Sequence, residues 1–261
     1  MTFLLVLAFS VSGVSAAVGG DVLFELGRPA WALALSGLDL ALPLAFSNPA
    51  ALGFRTGWEL LSTYASPFAA GHLGHLALVG PYVAAEAFLF YAGEIAPGLS
   101  YRAEGGAAAL GLALGGLGLG GRARLLHQAQ PAPGLGAALD LGLLWQGPLW
   151  LGAVVENVWS TPPFPGEAWP WDLSVALALP LGVLDVPAYV GAAAQDVLTL
   201  PRYALAAALT LPRVFLAVGL GSAGLSLGGS LTWSAFRLEW AFLGHAHLPA
   251  SFRVSLALRW P

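Results

Sequence analysis

Hydrophobic and polar positions alternate along much of this chain. From Trp171, the side chains Trp171, Leu173, Val175, Leu177 and Leu179 fall on one face, with Asp172, Ser174, Ala176 and Ala178 on the other. The last residues repeat the pattern, with Phe252, Val254, Leu256, Leu258 and Trp260 set against Arg253, Ser255, Ala257 and Arg259. Three further runs share it: Leu139 to Trp145, Leu225 to Trp233, and Phe236 to Phe242. Period-two alternation is the signature of a β-strand with two unlike faces. Helical membrane spans need about 20 continuous apolar residues. Beyond the N-terminus no such stretch stands: Ala204 to Ser222 is cut by Leu211-Pro212-Arg213, and Ala107 to Gly121 is short and glycine-rich.

Composition decides where the bulky faces point. Of 261 residues, 57% are hydrophobic and 9% charged, and mean hydropathy is +0.75. A soluble domain is about 25% charged; a soluble sandwich with these strands would need an outer charged face that this chain cannot supply. Lipid is the remaining solvent for the apolar faces. The sequence therefore predicts an all-β fold, a transmembrane antiparallel β-barrel of about fourteen strands with a small or polar interior. Fifteen strand-like spans can be marked between residues 58 and 260, the weakest being 58–65 and 107–114, and an even number is expected of a bacterial barrel. Trp145, Trp150, Trp159, Trp169, Trp171, Trp233 and Trp260 stand near strand ends, as interfacial girdles require. The Pro-rich stretch 160–170 is expected to be an extracellular loop.

The N-terminus reads as an export signal. Thr2 to Val11 is apolar, and Val14 and Ala16 occupy the small-residue positions of a cleavage site, which places cleavage after Ala16. The predicted organisation is a signal peptide over 1–16, a segment over 17–57 that plugs or underlies the lumen, and a barrel over 58–261. The expected location is the outer membrane of a Gram-negative-type cell.

Charge and chemistry narrow the functional classes. Net charge is −4, with ten Arg and no Lys, so no basic patch for nucleic acid is indicated. Cysteine is absent, which removes disulfides, thiolate metal sites and cysteine nucleophiles. Gly116 to Gly121 satisfies a dinucleotide fingerprint without a βαβ unit around it, and Gly224 to Gly228 fits G-x-S-x-G without a following helix. His72 and His75 are three apart and point to opposite faces of a strand. His245 and His247 stand between the last two strands, within reach of Ser251. No cofactor, metal or catalytic activity is expected; a lipid-modifying barrel enzyme using His245, His247 and Ser226 or Ser251 is the third and least favoured alternative. The ionisable residues read as lumen-facing are the candidates for ligand contact or internal ion pairing: Glu86, Arg102, Asp140, Glu156, Asp172, Arg237, Glu239, Arg253 and Arg259.

The region Gly27 to Phe54 lacks the alternation. It runs Gly-Arg-Pro-Ala-Trp-Ala-Leu-Ala-Leu-Ser-Gly and then Asn48-Pro49-Ala50-Ala51-Leu52-Gly53. This resembles the N-terminal signature of PorV/PorQ-type outer-membrane proteins within the FadL-like transporter superfamily. It departs from that pattern at Leu42-Pro43-Leu44 and at Ser36-Gly37. The resemblance implies a 14-stranded barrel with Asn48, Pro49 and Ala50 in a plug motif. It also implies either a channel or transporter for hydrophobic or amphipathic solutes, or a non-transporting scaffold for secreted proteins of the type IX kind. Residues 251–260 resemble the C-terminal signal read by the outer-membrane assembly machinery. Outer-membrane lipids and lipopolysaccharide are the other expected partners.

Overall fold

The computed structural model describes residues 23–24, 28–42, 47–67, 71–96, 99–130, 132–183, 186–222, 224–245 and 249–261. The proposed signal peptide, the first part of the predicted plug and His247 lie outside them. Fourteen strands form one closed antiparallel barrel in which each pairs with its sequence neighbours and the last pairs with the first. They are β1 (Trp58–Ser66), β2 (His72–Val79), β3 (Val83–Ala96), β4 (Leu99–Leu114), β5 (Leu117–Gln130), β6 (Gly134–Gln146), β7 (Trp150–Thr161), β8 (Asp172–Val183), β9 (Val186–Gln195), β10 (Arg202–Thr210), β11 (Val214–Gly221), β12 (Gly224–Trp233), β13 (Phe236–Gly244) and β14 (Ser251–Trp260). Closure leaves no edge strand, so every strand has a hydrogen-bonding neighbour on both sides.

The weakly patterned span 58–65 is a strand after all, and fourteen emerges because 96–104 and 107–114 are parts of the single strand β4. Gly105 and Gly106 interrupt the apolar pattern there. Gly105 points inward beneath Phe88, whose Cζ would stand 2.5 Å from a Cβ at that position.

The outer wall carries the bulky face of every alternating run. Leu139, Leu141, Leu143, Val175, Leu177, Leu227, Leu238, Val254 and Leu256 are all exposed. Aromatics ring both ends of this band. Tyr82, Trp145, Trp233, Phe236 and Trp260 stand at the end holding the barrel seam's termini, and Tyr64, Tyr91, Trp159, Trp171, Tyr203 and Phe252 at the other. Phe252 to Trp260 is eight residues along β14, about 26 Å of strand before tilt, close to the ~25 Å apolar band of a membrane barrel. At the first end, turns such as 80–82, 115–116 and 234–235 are two or three residues long; at the far end 162–171 is much longer.

A barrel of about eight strands can be filled by its own inward side chains, and the interior widens with strand number. Here the interior holds chain from the N-terminal side. A short helix, Ala30–Ala34, lies against β11 to β14, a 3-10 turn at Leu38–Ala41 against β7 and β8, and another at Pro49–Phe54 against β4, β5 and β6. Backbone meets backbone at these contacts. A Cβ on Gly152 would collide with the Leu40 carbonyl, and one on Gly120 with Pro49 and the Ala50 amide. Gly118 and Gly120 of the 116–121 run thus make room for the 3-10 turn at Pro49–Phe54. Trp31, Leu35, Leu38, Leu40 and Leu42 pack on inward Ala176, Ala178, Ala193, Ala206, Ala208, Ala217 and Ala241 to form one apolar core.

Candidate functional site: the charged inner wall and the segment against it

Two ionic clusters line the inside of the barrel. The first is built on β5, β6 and β7. Alternation puts Arg122, Arg124 and Asp140 inward, and register sets Arg122 opposite Asp140. Arg122 donates through Nε to Asp140 Oδ2 at 2.8 Å, and Arg124 through Nη2 to Asp140 Oδ1 at 2.8 Å. Asp140 Oδ1 also accepts from the Asn157 amide at 3.0 Å. Asn157 has φ 56°, left-handed backbone at an irregularity of β7. That kink turns its side chain inward, where Oδ1 accepts from Arg124 at 2.7 Å and Nδ2 donates to the Pro170 carbonyl at 3.0 Å. Glu156 stands 3.7 Å from Arg122 and 3.6 Å from Arg28 of the N-terminal segment. On β3, Glu86 meets His75 Nε2 at 3.1 Å.

The second cluster crosses the seam where β1 meets β14. Glu59, 1% exposed, accepts from Arg259 Nε at 2.6 Å, Arg237 Nη2 at 2.9 Å and Arg55 Nη2 at 3.4 Å. Arg237 also donates through Nε to Glu239 at 2.6 Å. A cavity of about 20 Å³ lies between the clusters, lined by Asn48, Pro49, Arg55, Glu86 and Arg122 among others, room for about one water.

Eight of the nine predicted lumen candidates do face inward. Asp140, Glu156 and Glu86 belong to the first cluster; Arg237, Glu239 and Arg259 belong to the second. Arg253 donates to the Arg28 carbonyl at 3.0 Å. Asp172 holds the loop between β9 and β10, accepting from the Leu198 amide at 2.9 Å and from the Thr199 hydroxyl. Arg102 is the correction. It points outward from β4 in register with Tyr91, its side chain 52% exposed and 3.7 Å from Glu104. The β4 alternation has Tyr101 and Ala103 inward, which forces Arg102 to the outer face at the far girdle.

Arg122, Arg124, Glu59, Arg55 and Arg28 escaped the sequence reading. For the first two a signal existed. Leu117, Leu119 and Leu125 set the outward parity of β5, so 122 and 124 must point in. Nothing local marks Arg28 or Arg55, whose partners are remote strands.

The N-terminal segment is fixed to the wall at a few polar points. Asn48 donates to the Leu40 carbonyl at 2.9 Å and the Leu143 carbonyl at 2.8 Å, and accepts from the Ala50 amide at 3.0 Å, capping the turn that Pro49 begins. The Ala30 amide donates to Ser255 Oγ at 3.0 Å. Ser226, the serine of the G-x-S-x-G match, donates to the Ala34 carbonyl at 3.0 Å and shares a 2.7 Å hydrogen bond with Ser36. No helix follows it; β12 simply continues. His245 and Ser251 are 3.3 Å apart at the turn into β14. His72 and His75 do face opposite sides of β2. At the far mouth, loop 162–171 folds inward: Trp169 is buried over Gly136 and its carbonyl accepts from Ser160 at 2.8 Å. On the outer wall an apolar groove of about 470 Å³ runs over Ala192 and Ala194 between Leu177 and Tyr203.

No protein-family model matches the chain, and no curated protein matches it. Among solved structures it is similar to CdiB from Acinetobacter baumannii, at 12% identity and TM-score 0.43, covering 78% of this chain and 60% of that one. It is similar to Omp33 of the same organism at 9% identity and TM-score 0.49, covering 80% of this chain and all of the other, 100%. The KdgM porin is similar at 7% identity and TM-score 0.45, covering 78% and 99%. The chain thus spans 60% of the length of CdiB. Likenesses at this level carry no functional argument.

Proposed function

We propose that the protein is an outer-membrane transporter of the FadL-like kind for hydrophobic or amphipathic solutes, closed at rest by its own N-terminal segment. One observation carries this reading. Along β8 to β13 the interior is filled largely by a stretch of N-terminal chain, residues 28–42, packed on inward alanines, and residues 47–54 lie against β4 to β6. The strands have instead been reduced to Ala and Gly where that stretch passes. A wall built only for stability would fill its own interior; a wall fitted to a removable piece can open. The interior left behind would be weakly polar with localised charges, suited to an amphipathic solute rather than to a stream of ions.

Outer-membrane lipids and lipopolysaccharide follow as partners from the apolar wall, and the C-terminal strand, alternating up to Trp260, serves the assembly machinery. Arg102, on the outer face at the far girdle, is placed to meet an anionic headgroup. The test is reconstitution in liposomes. The parent protein should show low conductance and measurable uptake of a hydrophobic dye, and removal of residues 30–42 should raise conductance strongly. Equal and negligible flux in both forms would refute transport.

The second reading, a non-transporting scaffold for secreted proteins, is favoured by loop 162–171, which covers part of the far mouth with Trp169 buried. Recovery of a secreted protein with the barrel from native membranes, together with absent uptake, would establish it in place of the first.

A further inference from the structure

Leu23 and Phe24 occupy an apolar recess in the inner wall formed by Leu73, Phe88, Ala103, Leu126 and Trp169. The Phe24 ring meets Phe88 edge-on, with centroids 5.1 Å apart and planes at 89°, and the Arg124 guanidinium lies 5.0 Å over its face. That is an aromatic-ring site with an edge partner and a cation above it. Four residues on, Arg28 reaches Glu156 at 3.6 Å. The recess and Glu156 are joined by one continuous row of side chains: Arg124, Asp140, Arg122, Glu156.

The contacts along that row show what the segment supplies. Asp140 is held by Arg122 and Arg124 of the wall, Glu86 faces His75, and Glu156 is shared between Arg122 of the wall and Arg28 of the segment. Withdrawing the segment removes an aromatic ring from the recess and a guanidinium from Glu156. Glu156 keeps Arg122 at 3.7 Å but loses its second cation, and the recess loses its ring, so the vacated wall favours a ligand that restores both groups.

We propose that this wall is a binding site for amphipathic molecules with an aromatic ring at one end and a cationic head at the other, and that Phe24 and Arg28 are its resident competitors. The proposal rests on the reading of the N-terminal segment as displaceable, and it names the solute class as cationic. The ring takes the place of Phe24 between Phe88 and Arg124; the ammonium or guanidinium head takes the place of Arg28 at Glu156.

The experiment is calorimetric titration of the full chain in detergent micelles with phenylalkylamines of graded chain length and with matched phenylalkanoates. The amines should bind more tightly than the carboxylates. Phe24→Ala should raise amine affinity about tenfold by weakening the competitor. Glu156→Gln should erase the preference for amine over carboxylate by a factor of about ten, with unboiled gel mobility confirming a folded barrel in each variant. Equal or tighter binding of the carboxylates, or unchanged amine affinity in Phe24→Ala, would overturn the proposal. Because binding in micelles needs no passage across a bilayer, amine binding without uptake in liposomes would sink the transport reading alone. Uptake without amine preference would sink the site alone.

Discussion

Glu59 is the carboxylate that ties the closing seam together. It sits at the second position of β1, directly opposite Arg259 in the register of the closing seam, and is buried with three guanidinium partners. Glu59→Ala leaves all three without that carboxylate, but unequally. Arg259 has a 41% exposed side chain and recovers water, so its loss counts little. Arg55 is held at 3.4 Å, a long contact. Arg237 is buried and bonded at 2.9 Å, and although it keeps Glu239 it loses the second carboxylate beside it. Breaking a buried ion pair costs about 3–5 kcal/mol; with one partner rehydrating and another retaining an alternative acceptor, the lower end applies, about 3 kcal/mol or about a hundredfold in the folding equilibrium. Urea titration of the barrel folded into phospholipid vesicles, followed by tryptophan fluorescence and unboiled gel mobility, measures it. Double-mutant cycles should couple Glu59 more strongly to Arg237 than to Arg259. A Glu59→Ala barrel within about 0.5 kcal/mol of the parent would refute the claim that this cluster holds the seam.

Three other outcomes follow from the packing. Gly152→Val places a Cβ against the Leu40 carbonyl, so the turn 38–41 must shift at about 1–3 kcal/mol; limited proteolysis should cut residues 28–54 faster while the barrel stays resistant. Asn48→Ala removes donors to the Leu40 and Leu143 carbonyls and the cap on Ala50, and should loosen the same segment by about 1–3 kcal/mol, read as faster amide exchange over residues 49–54. Leu256→Arg, outward at mid-wall, should destabilise the folded barrel by about 2–4 kcal/mol, whereas Arg102→Leu at the far girdle should change it by about 1 kcal/mol or less; similar costs for both would mean the apolar band is misplaced.

The two faces of the wall differ in how much of them the sequence discloses, and the reason is the solvent each meets. Outward residues face lipid, a uniform medium that rewards the same side chains on every strand. Local alternation therefore suffices to place Trp171 to Leu179 or Phe252 to Trp260 outward with no knowledge of neighbours. What lipid does not encode is where its band stops, so the charge of Arg102 suggests an internal position although the parity of β4 turns it out. Inward residues face other parts of the chain, and their meaning depends on pairs separated by tens to hundreds of positions. Gly152 is small because of Leu40, Ser255 is polar because of Ala30 and Thr63, and Glu59 is acidic because of Arg237 and Arg259. Each of these residues looks interchangeable with its neighbours until the barrel closes and the segment lies inside it. Where residues 28–42 and 47–54 pass, the inner wall is therefore an imprint of them, and a substitution there should be judged by what it does to the fit of that segment before what it does to the strand.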